Sequence, residues 1–155
     1  MPEEIQKKHL KTKLLQACID IQEKRIEISR NAMLQAQESA NEEKGTMGDK
    51  YESFREQMQI DRDMYARQFD ESTQVLNILK KIDPEKTSDL PALGAIVITD
   101  SQKFFVSASL GQVSLNGENY IAISSQSPMF KAMAGKKAGD KFTFRDNIFS
   151  IQEIM

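Results

Sequence analysis

The residue types that most often carry catalysis are scarce in this sequence. His9 is its only histidine and Cys18 its only cysteine. A Ser-His-Asp arrangement would have to be built around His9, which lies on a charged stretch between Lys8 and Lys11. One cysteine allows neither a disulfide framework nor a CxxC pair for zinc. The sequence therefore favours neither a nucleophilic triad nor a resident metal site, and it is consistent with a reducing compartment.

The charge balance argues against several classes of partner. The 155 residues carry a formal net charge of -2 and a pI near 5.5, whereas proteins that bind duplex DNA through its phosphates are usually basic. No apolar run approaches the ~20 residues needed to span a bilayer. The acidic start Met1-Pro2-Glu3-Glu4 is unlike a signal peptide. We therefore expect a cytoplasmic protein without independent DNA binding or membrane contact, whose oligomeric state the sequence leaves open.

The N-terminal segment has the pattern of one long amphipathic helix. Residues 2–40 contain no glycine, and Pro2 lies in the first turn, where proline is tolerated. Steps of three and four, with one longer jump across Arg25, connect the apolar residues Leu10, Leu14, Cys18, Ile21, Ile28, Ala32 and Ala36. Gly45 and Gly48 then interrupt the pattern and predict a turn at about 41–49.

A second helix is predicted from about Asp49 to Ile82. Asp49 fits an N-cap, with Glu52 three residues later, and Pro84 ends the helix. Its apolar stripe is interrupted by Asp61, Arg62 and Ser72 and consists of Tyr51, Phe54, Met58, Tyr65, Phe69, Leu76 and Leu79. Neither helix can bury its stripe alone, so residues 1–82 predict an antiparallel coiled-coil hairpin. The alternative is two helices of an ordinary bundle, for which the sequence offers no third amphipathic helix.

The composition changes after a proline-containing linker at 83–92. Residues 93–155 predict a small β-rich domain with about five strands and one short helix. The predicted strands are 95–99, 103–108, 120–124, 141–144 and 148–151. Asn116-Gly117 is typical of a hairpin turn, and Asp146-Asn147 is expected to join the last two strands. The predicted fold class is therefore α+β, with a long helical hairpin followed by a small β domain.

One segment of the β domain carries a specific pattern. Residues 127–140 read Ser-Pro-Met-Phe-Lys-Ala-Met-Ala-Gly-Lys-Lys-Ala-Gly-Asp. Ser127-Pro128 predicts the start of the short helix and Gly135 its end, while Gly139 allows a further turn with positive φ. The segment resembles the C-terminal domain of the bacterial Gre transcript-cleavage factors, GreA and GreB. The matched positions, which need no gap, are Ser127, Pro128, Ala132, Gly135, Lys136, Lys137, Gly139 and Asp140.

The second helix resembles the same family. Gre factors carry a tyrosine followed by Arg-Glu-Gln early in this helix, and Tyr51 with Arg55, Glu56 and Gln57 matches in register. The order of the parts also agrees, so the resemblance extends over nearly the whole chain. It implies that residues 93–155 form a domain similar to FK506-binding proteins, in other words an FKBP-like domain.

The resemblance implies a transcription elongation factor that binds bacterial RNA polymerase and is not itself an enzyme. Gre factors hold the rim of the polymerase secondary channel with their C-terminal domain, which here implies contacts from Ser127, Pro128, Met129 and Lys131. Their hairpin enters the channel, where acidic tip residues help to hold a second Mg²⁺ for cleavage of backtracked RNA. The chain would then need no cofactor of its own, would share Mg²⁺ with the polymerase active site, and would meet RNA only inside the polymerase.

The hairpin tip departs from the family pattern. Counting back from Tyr51 without a gap, the two catalytic acids fall on Lys44 and Met47, and neither side chain binds Mg²⁺ as a carboxylate does. Three acids lie nearby: Glu42, Glu43 and Asp49. A gap would bring Glu43 or Asp49 to the tip, whereas their ordinary roles are a solvated helix end and an N-cap. We therefore expect modulation or inhibition of the polymerase, and the sequence leaves stimulation of cleavage open.

Two other functions stay open at this level. A peptidyl-prolyl isomerase would need an aromatic-lined pocket, although strand alternation places most of the available aromatic residues in a core: Phe104, Phe105, Tyr120, Phe142, Phe144 and Phe149. A structural or chaperone-like hairpin protein would be favoured by an apolar stripe left exposed after the helices pack. The first helix also has basic residues that could face RNA or an acidic channel wall, although interspersed glutamates favour a solvated face: Lys7, Lys8, Lys11, Lys13, Lys24, Arg25 and Arg30.

Overall fold

Two long helices open the chain. A computed structural model describes the backbone of residues 2–42 and 48–155 and the side chains of residues 3–39 and 52–155. Helix α1 spans Pro2–Glu42 and helix α2 spans Gly48–Lys80, close to the predicted bounds. Acidic residues lie in the first turn of α1 and Lys80 in the last turn of α2, where each complements the helix dipole. The predicted helical hairpin is therefore confirmed.

Six strands follow in one mixed sheet. They are β1 (Ile96–Thr99), β2 (Lys103–Ser107), β3 (Gly111–Leu115), β4 (Glu118–Ser124), β5 (Lys141–Phe144) and β6 (Asn147–Ile154). The order across the sheet is β3-β4-β2-β1-β6-β5. Neighbours pair in antiparallel fashion except β2 and β4, which are parallel. A short helix, α3 (Pro128–Met133), lies between β4 and β5 in the chain, so the α+β class is confirmed.

The sequence prediction lacks strand β3. This strand does alternate, because Val113 is buried while its neighbours Gln112 and Ser114 are exposed. The signal is short and starts at Gly111, a residue type that is depleted in strands. Pairing with β4 over the whole of β3 compensates for this weak local preference.

Two tight turns fix the register of the hairpins. At Asn116-Gly117 the φ angles are 53° and 78°, and Leu115 pairs with Glu118, so this predicted turn is confirmed. Two successive residues with positive φ are the mark of the type I′ turn, which suits the twist of paired strands. The last hairpin turns instead at Arg145-Asp146, with φ of 49° and 66°. The predicted turn at Asp146-Asn147 is wrong by one residue, because Asn147 already pairs with Phe144.

One face of the sheet forms a core with α3. The Phe149 ring meets Phe104 edge-on at a centroid distance of 6.0 Å and stacks on Phe142 at 5.0 Å. The cluster consists of Val97, Phe104, Val106, Ile123, Met133, Phe142, Phe149 and Ile151. Each such side chain contributes roughly 1.5–3 kcal/mol when it leaves water, so this face is a main source of stability for the β domain.

The opposite face of the central strands is buried as well. Alternation along β2 turns Phe105 and Ser107 away from the first core, yet both are almost fully buried. Helix α1 supplies fully buried Leu14 and Cys18, and the Cys18 thiol interacts with the Ser107 side chain. The first half of α1 therefore covers this second face.

Contacts divide the chain into two compact units accordingly. Met1–Ile21 group with Ile78–Met155, and Gln22–Asn77 form the second unit. Within the first unit, the Lys7 ammonium forms an ion pair with Glu153 at 2.8 Å. The sequence predicts two domains at 1–82 and 93–155 with a linker at 83–92. These domain boundaries stay a prediction.

The two helices share a seam within the second unit. Its α2 side follows the predicted stripe, with half-buried Met58, Tyr65, Phe69 and Leu76. On the α1 side, Gln22 is only 3% exposed, and its side-chain amide donates a hydrogen bond to the Ser72 carbonyl oxygen at 2.8 Å. This polar contact joins the helices where apolar residues would be expected.

The predicted apolar stripe of α1 is wrong at Ile28. That side chain is 64% exposed, and Ile26 is half-buried in its place. Cys18, Gln22 and Ile26 follow one another at four-residue steps along the inward side of the helix. Because Gln22 is polar, spacing of apolar residues alone skips this position and misplaces the following turn.

Replacing Phe149 with alanine should lower the free energy of unfolding by about 3–5 kcal/mol, because the truncation leaves a cavity between Phe104 and Phe142. The preceding residue, Ile148, is 66% exposed and gives a matched control. Ile148→Ala should change the free energy by less than about 0.5 kcal/mol. Urea unfolding of both variants measures the difference, and equal losses would contradict the assigned core face.

Candidate partner-binding site

The segment 127–140 begins with a fully formed helix cap. Ser127 has extended backbone angles, with φ of -72° and ψ of 153°. Its hydroxyl oxygen accepts a hydrogen bond from the Phe130 N–H at 3.2 Å, and its hydroxyl donates to the Ser124 carbonyl oxygen at 2.7 Å. Pro128 occupies the first helical turn, where its missing N–H costs nothing. The predicted start of the short helix is therefore confirmed.

The end of the segment is held by a turn around Asp140. Gly135 and Gly139 have φ angles of 76° and 95°, a region that favours glycine. The Asp140 carboxylate accepts from the Lys137 N–H at 2.9 Å. The Ile151 N–H donates to the Asp140 carbonyl oxygen at 2.9 Å, which attaches the turn to β6. These matched residues thus have structural roles that hold the segment in one shape.

The residues predicted to contact a partner fall into two groups. Pro128 and Lys131 are exposed, while Ser127 is occupied by capping and Met129 is half-buried against the sheet core. Lys136 and Lys137 are exposed on the following turn. None of these lysines is in an ion pair with the described part of the chain. The surface available to a partner is therefore a basic rim at Pro128, Lys131, Lys136 and Lys137, called the α3 rim below.

The predicted hairpin motif lies on the surface of α2. Arg55, Glu56 and Gln57 are all exposed, and the Gln57 side-chain amide donates to the Asp61 carboxylate one turn later at 3.0 Å. The Tyr51 side chain lies outside the described residues. The contact with Asp61 is local to α2, so the exposed motif is not required for packing the described helices together.

The candidate tip acids fall at the edge of the described chain. Glu42 is the last residue of α1, and Asp49 lies in the first turn of α2, but the side chains of both are outside the described residues. Glu43, Lys44 and Met47 lie outside them altogether. The structure therefore brings none of the predicted acids into a described site, and their roles stay predictions.

The described residues offer no other obvious catalytic or metal-binding group. Across residues 3–39 and 52–155, no cluster of three or more His, Cys, Asp or Glu side chains could hold a metal ion. Burial raises the pKa of the Cys18 thiol to about 11, partly offset by Ser107, so this thiol stays protonated and unreactive at neutral pH. His9 is exposed on α1. Likewise, no helix of the described chain is both long and apolar enough to cross a membrane.

Among the basic residues of α1, Lys11 is the one whose environment differs most from the prediction. It belongs to the basic residues assigned to a solvated helix face, yet it is only 3% exposed. Its ammonium donates to the Lys86 carbonyl oxygen at 2.6 Å. The position of Lys11 in the sequence could have indicated its burial, because Lys11, Leu15 and Cys18 follow at steps of four and three along the buried side of α1. Counting only apolar residues hides this register.

Comparison with known proteins gives matches only among solved structures. No family model matches the chain, and no curated protein matches it. A structure of the transcription factor Gfh1 is similar over 88% of this chain and 92% of its own, with 20% identity and a TM-score of 0.36. The structure of GreA factor homolog 1 (Gfh1) of Thermus thermophilus is similar over 91% and 92%, with 18% identity and a TM-score of 0.33. At these values the matches do not establish membership of a family.

Ser127→Ala should lower the free energy of unfolding by about 1 kcal/mol, because the Phe130 N–H loses its capping oxygen. Ser125→Ala is a suitable control, since Ser125 is exposed in the preceding turn and should matter little. Thermal unfolding, together with amide exchange at Phe130, measures both effects. If amide exchange at Phe130 is as fast in Ser125→Ala as in Ser127→Ala, the role of the cap is contradicted.

Proposed function

We propose that this chain is a Gre-like regulator that binds bacterial RNA polymerase and inserts its helical hairpin in the secondary channel to modulate elongation. The segment 127–140 carries the proposal, because it matches the Gre pattern without a gap. Its capping and turn residues build one fixed shape, while the α3 rim stays exposed beside them. A fixed backbone that presents exposed basic side chains is suited to binding a partner.

The helical hairpin supports insertion into a narrow channel. The part of α1 in the second unit, residues 22–42, is about 30 Å long at ~1.5 Å per residue. Its seam with α2 contains polar as well as apolar side chains, and Arg55, Glu56 and Gln57 are exposed. Two helices with polar outer faces can lie in a water-filled, charged passage without burying unpaired groups.

The proposed regulator has no active site or cofactor of its own. Any Mg²⁺ involved would be held at the polymerase active site, with a carboxylate delivered from the tip. The positions aligned with the Gre acids are Lys44 and Met47, which cannot supply one. Modulation without stimulated cleavage is therefore the form of the proposal that follows from the residues at the tip.

A peptidyl-prolyl isomerase is not favoured. Such an enzyme needs aromatic rings lining an accessible pocket, but five of the candidate rings are buried: Phe104, Phe105, Tyr120, Phe142 and Phe149. Three of them pack on one another inside the sheet core. Rings used in this way are not available to a proline substrate.

A chaperone-like hairpin is not favoured either. Exposed apolar residues do occur in the second unit, among them Ile28 and Leu34 on α1 and Ile60 and Met64 on α2. Ile28 and Leu34 are six positions apart, which places them ~120° apart around the helix. The two α1 residues therefore do not form one continuous stripe, and a short exposed pair such as Ile60 and Met64 is normal on a protein surface.

Lys131→Glu should weaken binding to bacterial core RNA polymerase about tenfold or more, because it reverses a charge on the α3 rim. Lys13→Glu makes the same charge change at an exposed position of α1 and should have little effect. Pull-down with core polymerase, calibrated with an authentic Gre factor, measures the affinities. Failure to recover the wild-type chain where the Gre factor binds would overturn the proposal.

Added to halted, backtracked transcription complexes, the protein should change the rate at which RNA synthesis resumes without shortening the RNA. The reason is that Lys44 and Met47 cannot hold Mg²⁺ as carboxylates do. Gel analysis of labelled RNA measures both quantities. RNA shortening by the wild type that is lost in Glu43→Ala or Asp49→Ala would contradict this expectation and assign catalysis to that acid.

A further inference from the structure

The buried ammonium of Lys11 has too few partners for a charge removed from water. The residue is 3% exposed, and Nζ donates one hydrogen bond to a neutral oxygen, the Lys86 carbonyl, at 2.6 Å. An ammonium has three N–H groups to satisfy. Lys11 is in no ion pair with a carboxylate among the described residues. Buried charges are normally paired, because an unpaired one costs several kcal/mol.

A cavity adjoins this ammonium on the side of the linker. Its volume is about 580 Å³, within the ~300–1,000 Å³ of ordinary ligand pockets. Lys11, Lys81 and Lys86 line it, against the single carboxylate of Asp83, and Thr87 adds a hydroxyl group. The hydroxyl of Ser88, which also lines the cavity, already donates to the Leu90 carbonyl oxygen. The charges on its wall therefore favour an anion.

The one acid on the wall does not neutralise Lys11. Asp83 forms no ion pair with Lys11, and one of its carboxylate oxygens accepts from the Glu85 N–H at 3.0 Å. Burial lowers the pKa of the Lys11 ammonium, and Asp83 opposes this only as the smaller influence. The protein thus holds a cation beside an open cavity, with no carboxylate of the described residues within ion-pair distance of it.

We propose that the cavity between α1 and residues 81–95 binds a small-molecule oxyanion, a phosphate or carboxylate group, against Lys11. The anion accepts hydrogen bonds from the remaining Lys11 N–H groups, and Lys81, Lys86 and Thr87 surround its outer oxygens. Lysine binds such groups as a compact point charge. The site lies wholly within the unit that contains the sheet, and it does not depend on polymerase binding.

Isothermal titration of the full chain at low ionic strength tests the site, with inorganic pyrophosphate in one arm and citrate in the other. We expect saturable binding with one site per chain. Lys11→Met keeps the apolar stem and removes the charge, so it should weaken binding at least tenfold. Lys8→Met removes an exposed lysine from the same helix and should leave binding unchanged. Tighter binding of pyrophosphate would identify phosphates as the natural class, and tighter binding of citrate would identify carboxylates.

Two results would overturn the proposal. One is the absence of saturable binding of either anion to the wild type, and the other is equal affinity in Lys11→Met and Lys8→Met. If circular dichroism shows that Lys11→Met is unfolded, the double variant Lys81→Met/Lys86→Met decides the matter. It leaves Lys11 in place and should weaken binding several-fold, whereas unchanged affinity would also reject the site.

Discussion

Both faces of the central strands must be shielded from water, and the C-terminal part of the chain shields only one of them. The side chains of β2 alternate between two buried environments, with Phe104 on one face and Phe105 on the other. Helix α3 is six residues long and helps to cover the Phe104 face. The other face needs a helix from elsewhere, and the first half of α1 provides it with Leu14 and Cys18.

This requirement gives one continuous helix two tasks. Up to about Ile21 the inward side of α1 serves the sheet, and from Gln22 onward it serves α2. The burial and polarity of the inward side chains therefore differ between the two halves of α1. Side chains against the sheet are almost fully buried, whereas those shared with α2 are mostly half-buried and partly polar. Since stability follows the apolar area that is buried, the sheet-bound half of α1 is the better anchored part.

Features with strong local signals were predictable from the sequence. The two helices, the cap at Ser127 and the turn at Asn116-Gly117 each depend on residues within a few positions of one another. Features that depend on distant segments were not predictable in this way. Lys11 is buried because the linker passes over it, and β3 forms because β4 supplies hydrogen bonds along its length. The same distinction applies to the candidate site. Its local geometry could be predicted from residues 127–140, whereas the exposure of Lys131 could be seen only in the folded structure.

The hydrogen bond from Gln22 to the Ser72 carbonyl limits how the two helices of the hairpin can be aligned along their length. Apolar seams tolerate sliding, because one methyl group replaces another at little cost. A buried amide has less freedom, since a shift by a fraction of a turn would separate it from the Ser72 carbonyl, and only a shift of a whole turn, ~5.4 Å, brings another carbonyl to the same side of α2. Gln22 therefore restricts the two helices to alignments that differ by whole helical turns. Beyond this contact the length of each helix is set by its residue count, so inserting or deleting a heptad in both helices would change the reach of the hairpin in discrete steps.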